Sequence, residues 1–298
     1  MVVRRRPAAS WGRSVVGPAV APGGPDGLLA QGSWWRLSRE PHPSLRLTGV
    51  PDVVVPVIEA ARSSLSFEQF DRVRSGAVSD ERAWQAHVGV AHDDSDLRVE
   101  RNVTRYRPRP VLLRLSSDAD LSDLVRLLVA AARVRAPLTV SSAVPVPASL
   151  VQLLHSPASP MRVGSVVVEN DRAFLARASA GLLQAREATH ELDDLSLLAR
   201  ATGSRDPAAE VEGDGDGDVP PPDDAAVAAY RDLHVRLIGG DPRALARAVG
   251  GSVDVVVHGG DVTDEGRVEL LTFVREQSVT VTAHRSGLVD PELRDLRI

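Results

Sequence analysis

VRLIGGDPRALARAVGGSVDVVV, residues 235–257, decides the fold. Val235 to Ile238 is a short apolar run, Gly239-Gly240-Asp241-Pro242 a turn, Pro242 to Val249 a helix-length stretch and Val253 to Val257 a second apolar run. Runs this short, apolar nearly throughout and bounded by glycine, read as strands covered on both faces. A helix between two such strands makes them parallel neighbours. Asp241 stands where an N-cap is needed and Pro242 at the first helical position, where its missing N–H costs nothing.

The same alternation extends towards the N-terminus. Val111 to Leu115 reads as a strand and Leu121 to Arg135 as a helix, with Asp118 or Asp120 as N-cap. Leu138 to Ser142 reads as a strand stopped by Pro145 and Pro147, and Ser149 to Leu154 as a short helix. Ser165 to Glu169 then reads as a strand and Asp171 to Leu182 as a helix. Right-handed crossovers turn this series into a Rossmann-like α/β fold, a parallel sheet with helices on both faces, over residues 104–298. Residues 203–224 interrupt it with an acidic, Gly- and Pro-rich stretch that reads as a flexible loop.

Ahead of this domain the patterning is helical. Val57, Ile58, Ala61, Leu65 and Phe70 recur at helical spacing between Val53 and Arg74, and Ser79 to Gly89 reads as another short helix, so residues 37–103 form a helical linker region. Residues 12–33, GRSVVGPAVAPGGPDGLLAQGS, are too dense in Gly and Pro for a long helix or a central strand and read as an extended segment.

Composition narrows the function. Of the 298 residues 43% are hydrophobic but only 3% aromatic, so the core is built from Val, Leu and Ala. The formal charge of −5 argues against a nucleic-acid partner. With no Cys there is no disulfide, thiolate metal site or thiol nucleophile. With no Lys there is no Walker A site and no Schiff base. Arg4, Arg5 and Arg6 are not followed by an apolar signal region, and no run of about 18 apolar residues is present. A soluble cytoplasmic protein without a membrane-spanning segment is expected.

The candidate motifs are weak. Gly239-Gly240 precedes a helix, where N–H groups cradle phosphates, but there is no GxGxxG fingerprint. Asp214-Gly215-Asp216-Gly217-Asp218 opens like a calcium loop, yet Val219 and Ala225 stand where Gly and Glu are required. His87 and His92 are five apart, wrong for a zinc pair on one helix face, and His234 and His258 read as satisfied histidines at strands. Ser14, Ser141 and Ser142 lack a nucleophile elbow, and Asp193 and Asp194 lie in a polar helical run. These residues point to no catalytic site and no metal site.

Three ordered blocks resemble one family. The first, Arg5 to Trp34, contains RPAASWGRSVVGPAVAPGGPDGLL, similar to a QPFGGW-type turn followed by R-S-x-V-G-P and AGGPNY; Arg6, Ala8, Ala9 and Ser10 depart from the turn, and Asp26-Gly27 from Asn-Tyr. The second, Trp84 to Pro110, contains HDDSDLRVERNVTRYRPRP, with Asp94, Asp96, Leu97, Glu100, Asn102, Arg105, Tyr106 and Pro108 carrying the likeness. The third comprises PLTVSSAVPVP, VRLIGGDP and the terminal ELLTFVREQSVTVTAHR. Together they resemble the C-terminal part of the bifunctional proline dehydrogenase/L-glutamate γ-semialdehyde dehydrogenases, the proline utilization A family.

The resemblance implies that residues 1–36 are a remnant of the end of an aldehyde dehydrogenase domain and that the rest leads into a noncatalytic, aldehyde dehydrogenase-like Rossmann domain. Full-length members use FAD for proline and NAD for glutamate semialdehyde. The resemblance places the catalytic Cys, the general-base Glu and the NAD-contacting Lys upstream of Met1, so this chain is expected to bind no cofactor and to have no activity of its own. Its expected partners are the catalytic proline dehydrogenase and aldehyde dehydrogenase domains or chain, whose substrate cavity it covers.

The tail then reads as a covering element. Val268, Leu270, Leu271 and Val274 predict an amphipathic helix over Glu265 to Gln277, followed by a half-buried strand over Ser278 to Ala283 with Val279, Val281 and Ala283 inward. Glu269, Phe273, Arg275, Glu276, Gln277, His284 and Arg285 are the candidate lid or interface residues. Two other readings stay open, a truncated product of a full NAD-dependent dehydrogenase gene and a nucleotide-binding module using Gly239-Gly240 and Gly259-Gly260.

Overall fold

A computed structural model of the chain describes residues 2–4, 47–93, 100–184, 221–222, 224–282, 284–285 and 288–289. The extended segment 12–33, the first block of the resemblance beyond residue 4, Asp193-Asp194 and the calcium-like run lie outside the described residues.

The strands are β1 (Val2–Arg4), β2 (Glu100–Pro108), β3 (Val111–Leu115), β4 (Pro137–Ser142), β5 (Arg162–Val168), β6 (Leu233–Ile238), β7 (Val255–His258), β8 (Val274–Thr282), β9 (His284–Arg285) and β10 (Leu288–Val289). The helices are α1 (Val55–Ala61), α2 (Phe67–Ala83), α3 (Leu121–Val134), α4 (Ala148–Leu154), α5 (Asp171–Ser179), α6 (Asp224–Ala228), α7 (Pro242–Ala248) and α8 (Gly266–Thr272).

Five strands form a parallel sheet in the order β5-β4-β3-β6-β7, so the chain steps outward from β3 in one direction, then returns and steps outward in the other. This is the Rossmann-like arrangement that the alternation predicts, with helices on both faces. Val111, Leu113, Leu115, Val140 and Ile238 join α1, α2, α3, α4 and α8 in one core, and Leu112, Val235 and Leu233 join α5 and α7 in the other. Asp120 caps α3 by accepting from the Ser122 N–H, and Asp241 caps α7 with Pro242 at its start.

The helical stretch ahead of the sheet differs from its expected division. A single helix, α2, spans the expected break between Arg74 and Ser79, and it is followed by a π-turn over Trp84–Val88. Ser66 and Gln69 form a reciprocal capping box at its start, a strong nucleation signal one turn ahead of Phe70. Gly76, in the interior of α2, weakens the helical pattern in the sequence but is needed there. A Cβ at this position would lie 2.2 Å from Nε of Arg126, whose guanidinium crosses the helix at that point to reach Asp80.

The tail also differs from its expected form. Helix α8 ends at Thr272 rather than Gln277, and the chain becomes strand at Val274. Pairing overrides the helical spacing. Val274 to Thr282 runs antiparallel to all of β2, from Pro108↔Val274 to Glu100↔Thr282, and these backbone bonds are available only to an extended segment. The motif block from Glu100 to Pro108, expected as linker and joint, is thus an unforeseen strand. Strand β1 pairs with the other edge of β8, and β9 pairs with β10. Val279 is buried as expected, while the burial of Val281 and Ala283 lies outside the described residues.

Candidate functional site

In a sheet of this order the natural ligand crevice lies at the carboxyl ends of β3 and β6, where the direction of winding reverses. Ser116-Ser117-Asp118 leaves β3 there and Gly239-Gly240-Asp241 leaves β6. Gly239 and Gly240 have φ of +69° and +67°, a left-handed pair that aims backbone N–H groups into the crevice. The side chain that meets them is the chain's own. The Gly240 N–H donates to both carboxylate oxygens of Asp118, at 2.9 and 3.1 Å. A Cβ at Gly239 would lie 2.4 Å from Asp118 Oδ1, and one at Gly240 would lie 2.5 Å from Ser116 Oγ.

A second carboxylate closes the neighbouring part of the edge. Asp171 accepts from the Ser117 N–H at 3.0 Å, from the Ser117 hydroxyl at 2.6 Å and from Arg114 at 2.8 Å. Burial works to raise its carboxyl, but the Ser117 hydroxyl, Arg114 and the Ser117 N–H together hold it below the usual range. Arg114 is fully buried, also donates to the Ser141 hydroxyl and the Glu169 carbonyl, and lies over the Phe174 ring at 4.5 Å. Glu169 is held by Ser141 and Arg177. The carboxyl edge therefore holds anions where a dinucleotide would bring more negative charge.

The second glycine pair is committed differently. Arg236, 4% exposed in the middle of β6, donates to the carbonyls of His258, Gly260 and Asp261 and to the Glu269 carboxylate. The Gly259-Gly260 turn thus presents carbonyls inward, an arrangement suited to a cation and filled by Arg236.

Behind the tail runs a buried ionic chain. Asp80 and Arg126 form a two-point pair at 2.7 and 2.8 Å, Arg126 Nε donates to the Thr263 carbonyl, and Thr263 N–H donates to Glu269, which pairs with Arg236. Burial pushes the Asp80 carboxyl up to about 6, against the pull of Arg126 and with added repulsion from Glu269 and Glu265. These contacts lock α2, α3, α8 and β6 together. Beside them His234 stacks on His258 with ring centres 5.4 Å apart, and Arg109 Nη1 lies 2.6 Å from His234 Nε2. Burial, then the Arg109 cation, pushes His234 down to about 4; burial, then His234 and the arginines, pushes His258 down to about 3. Both are neutral histidines inside the fold.

The candidate lid residues separate into two groups. Glu269 is 1% exposed and engaged with Arg236, and Phe273 is fully buried with its carbonyl accepting from the Arg109 N–H. Arg275, Glu276 and Gln277 lie at the start of β8, register-paired with Arg107, Tyr106 and Arg105 of β2. His284 and Arg285 form β9; their side chains lie outside the described residues. Sequence reading offered Asp118 only as a possible cap and missed Asp80, Arg126, Arg114 and Arg236. A signal existed for the last two, since VLLRL and HVRLI each place an arginine inside an otherwise apolar central strand.

No family model matches the chain, and no curated protein does. Among solved structures it is similar to proline utilization A from Corynebacterium freiburgense, at 23% identity and a TM-score of 0.39, covering 80% of this chain and 16% of that one. It is also similar to an NAD-dependent benzaldehyde dehydrogenase from Corynebacterium glutamicum, at 12% identity and a TM-score of 0.33, covering 81% of this chain and 86% of that one. The chain therefore spans about a sixth of the proline utilization A protein. Among the described residues no helix is long and apolar enough to cross a membrane, and no group of three or more His, Cys, Asp or Glu is placed to hold a metal ion.

Proposed function

We propose that this chain is a noncatalytic accessory module of a proline-catabolic dehydrogenase, which packs on the catalytic domains and covers their substrate cavity at the glutamate semialdehyde step. The observation that carries this reading is the crevice at the switch point, where Asp118 takes the Gly240 N–H that a phosphate would need. The three ordered sequence blocks support the choice of pathway, and the lack of Cys and Lys supports the assignment as noncatalytic. The surface-facing part of the tail, Arg275 to Gln277, is the proposed contact with the catalytic domains.

The purified chain is expected to show no NAD⁺-dependent oxidation of glutamate semialdehyde and no heat of NAD⁺ binding below about millimolar concentration. It is expected to co-migrate with a glutamate semialdehyde dehydrogenase in gel filtration. Turnover by the chain alone, or submillimolar NAD⁺ binding, overturns the noncatalytic assignment. Failure to bind the dehydrogenase overturns the accessory role.

A further inference from the structure

One face of the β2–β8 ribbon carries arginines that form no ion pair among the described residues. Along β2 and just past its end, Arg105, Arg107 and Arg109 occupy alternate positions, and Arg275 on β8 is register-paired with Arg107. Like charges directly across a ladder destabilise a sheet. The residue between them is neutral: Gln277 Oε1 accepts from Arg105 Nε at 2.9 Å and from Arg107 Nε at 3.3 Å. Among the described residues none of these four arginines forms an ion pair.

Arg109 makes the imbalance plain. It is 7% exposed, its Nε has no hydrogen-bond partner, and its Nη1 leans on the ring of a neutral histidine. Burial disfavours its charge, while Asp232, whose side chain is 79% exposed and contacts His234, favours it. Arg275 adds repulsion from the ribbon side. Glu276, paired with Tyr106, alternates to the opposite face of the ribbon. Protection of an open strand edge accounts for charges on β2, but not for Arg275 on the central strand, nor for a buried Arg109.

We propose that this arginine face is a docking surface for a carboxylate-bearing segment of a partner polypeptide. Partner carboxylates would sit between Arg107 and Arg275 and complete the unfilled positions on Arg105, relieving the repulsion that the free chain carries. A polypeptide fits better than a nucleic acid. The chain as a whole is negative at −5, which repels a phosphate backbone at long range, and the one aromatic of the ribbon, Tyr106, is on the other face. The inference rests on the accessory reading only for its class of partner.

The test uses the full chain with a fluorescein-labelled hexaglutamate peptide, followed by fluorescence anisotropy at low salt, with an oligodeoxythymidylate of equal charge as the comparison. Hexaglutamate is expected to bind, to release as salt rises, and to bind roughly tenfold or more weakly to Arg107→Ser/Arg275→Ser. The same exposed pair should raise Tm when replaced, because the like-charge contact is gone. No hexaglutamate binding, equal binding by the double variant, or tighter binding of the oligodeoxythymidylate overturns the proposal. If a dehydrogenase binds and the double variant binds it equally well, the accessory role stands and this face is not the contact. If hexaglutamate binds as expected and no dehydrogenase does, this surface stands and the accessory role falls.

Discussion

Asp118 holds the Gly240 N–H between its two carboxylate oxygens, tying the loop after the first strand of the parallel sheet to the loop after the fourth. A charged acceptor on a backbone donor contributes more than a neutral one. Asp118→Ala is expected to lower unfolding free energy by about 1–3 kcal/mol, and Asp118→Asn by less because an acceptor oxygen remains. Urea denaturation of the three proteins checks this. Equal midpoints would show that the contact contributes nothing.

Gly76 is a window for Arg126. Gly76→Ala would place a Cβ within 2.2 Å of Arg126 Nε, so a cost of about 1–3 kcal/mol is expected from overpacking. In an Asp80→Asn/Arg126→Met background the obstruction is a flexible thioether, and the same change is expected to cost less than about 1 kcal/mol. A double-mutant comparison by chemical denaturation measures the difference, and equal costs in both backgrounds would sink the window explanation.

Glu269 and Glu276 are seven residues apart and differ in what they do. Glu269→Gln leaves Arg236 buried without a counter-charge and is expected to cost about 3–5 kcal/mol. Glu276→Gln, at the partly exposed start of β8, is expected to change stability by less than about 1 kcal/mol. Thermal melts of the two variants should differ by many degrees, and equal shifts would contradict the buried pair.

His234 and His258 give the stability a defined pH dependence. Their folded values, about 4 and about 3, lie below the ordinary histidine value of 6.5, so the unfolded chain takes up protons first as pH falls. Their stabilisation is complete above 6.5 and is lost as pH drops towards their folded values. Asp80, raised to about 6, works in the opposite sense, gaining stability as pH falls from 6 towards 3.8. Comparison with His234→Gln/His258→Gln cancels the Asp80 contribution. The stability difference between the two proteins is expected to shrink by about 6 kcal/mol between pH 7 and pH 4, about half of it from each histidine. A constant difference across that range would mean that the histidines are not held neutral.

The parallel sheet was legible because Val111–Leu115, Leu138–Ser142 and Val235–Ile238 are short, apolar and separated by well-capped helices. The boundary at Thr272 was not, since VELLTFV has helical spacing and only the pairing with a distant strand makes Val274 extended. The same distance hid β2, whose residues read as the end of a helical linker and a motif block until β8 is placed beside it. At the crevice, Gly239-Gly240 announced a special backbone, but Asp118 was visible only as a possible cap. Its role depends on the spatial meeting of two loops 122 residues apart.

The ribbon joins Arg105 to Gln277, 172 positions along the chain. Every strand of the main parallel sheet precedes Gln277 in the chain, and until β8 arrives β2 has only the local His92–Thr104 bridge. Closing so long a loop costs entropy before any contact offsets it, which makes β2–β8 pairing the late event of folding. The amides of β2 that bond to β8 are therefore expected to gain protection from hydrogen exchange after the core of the parallel sheet is already protected.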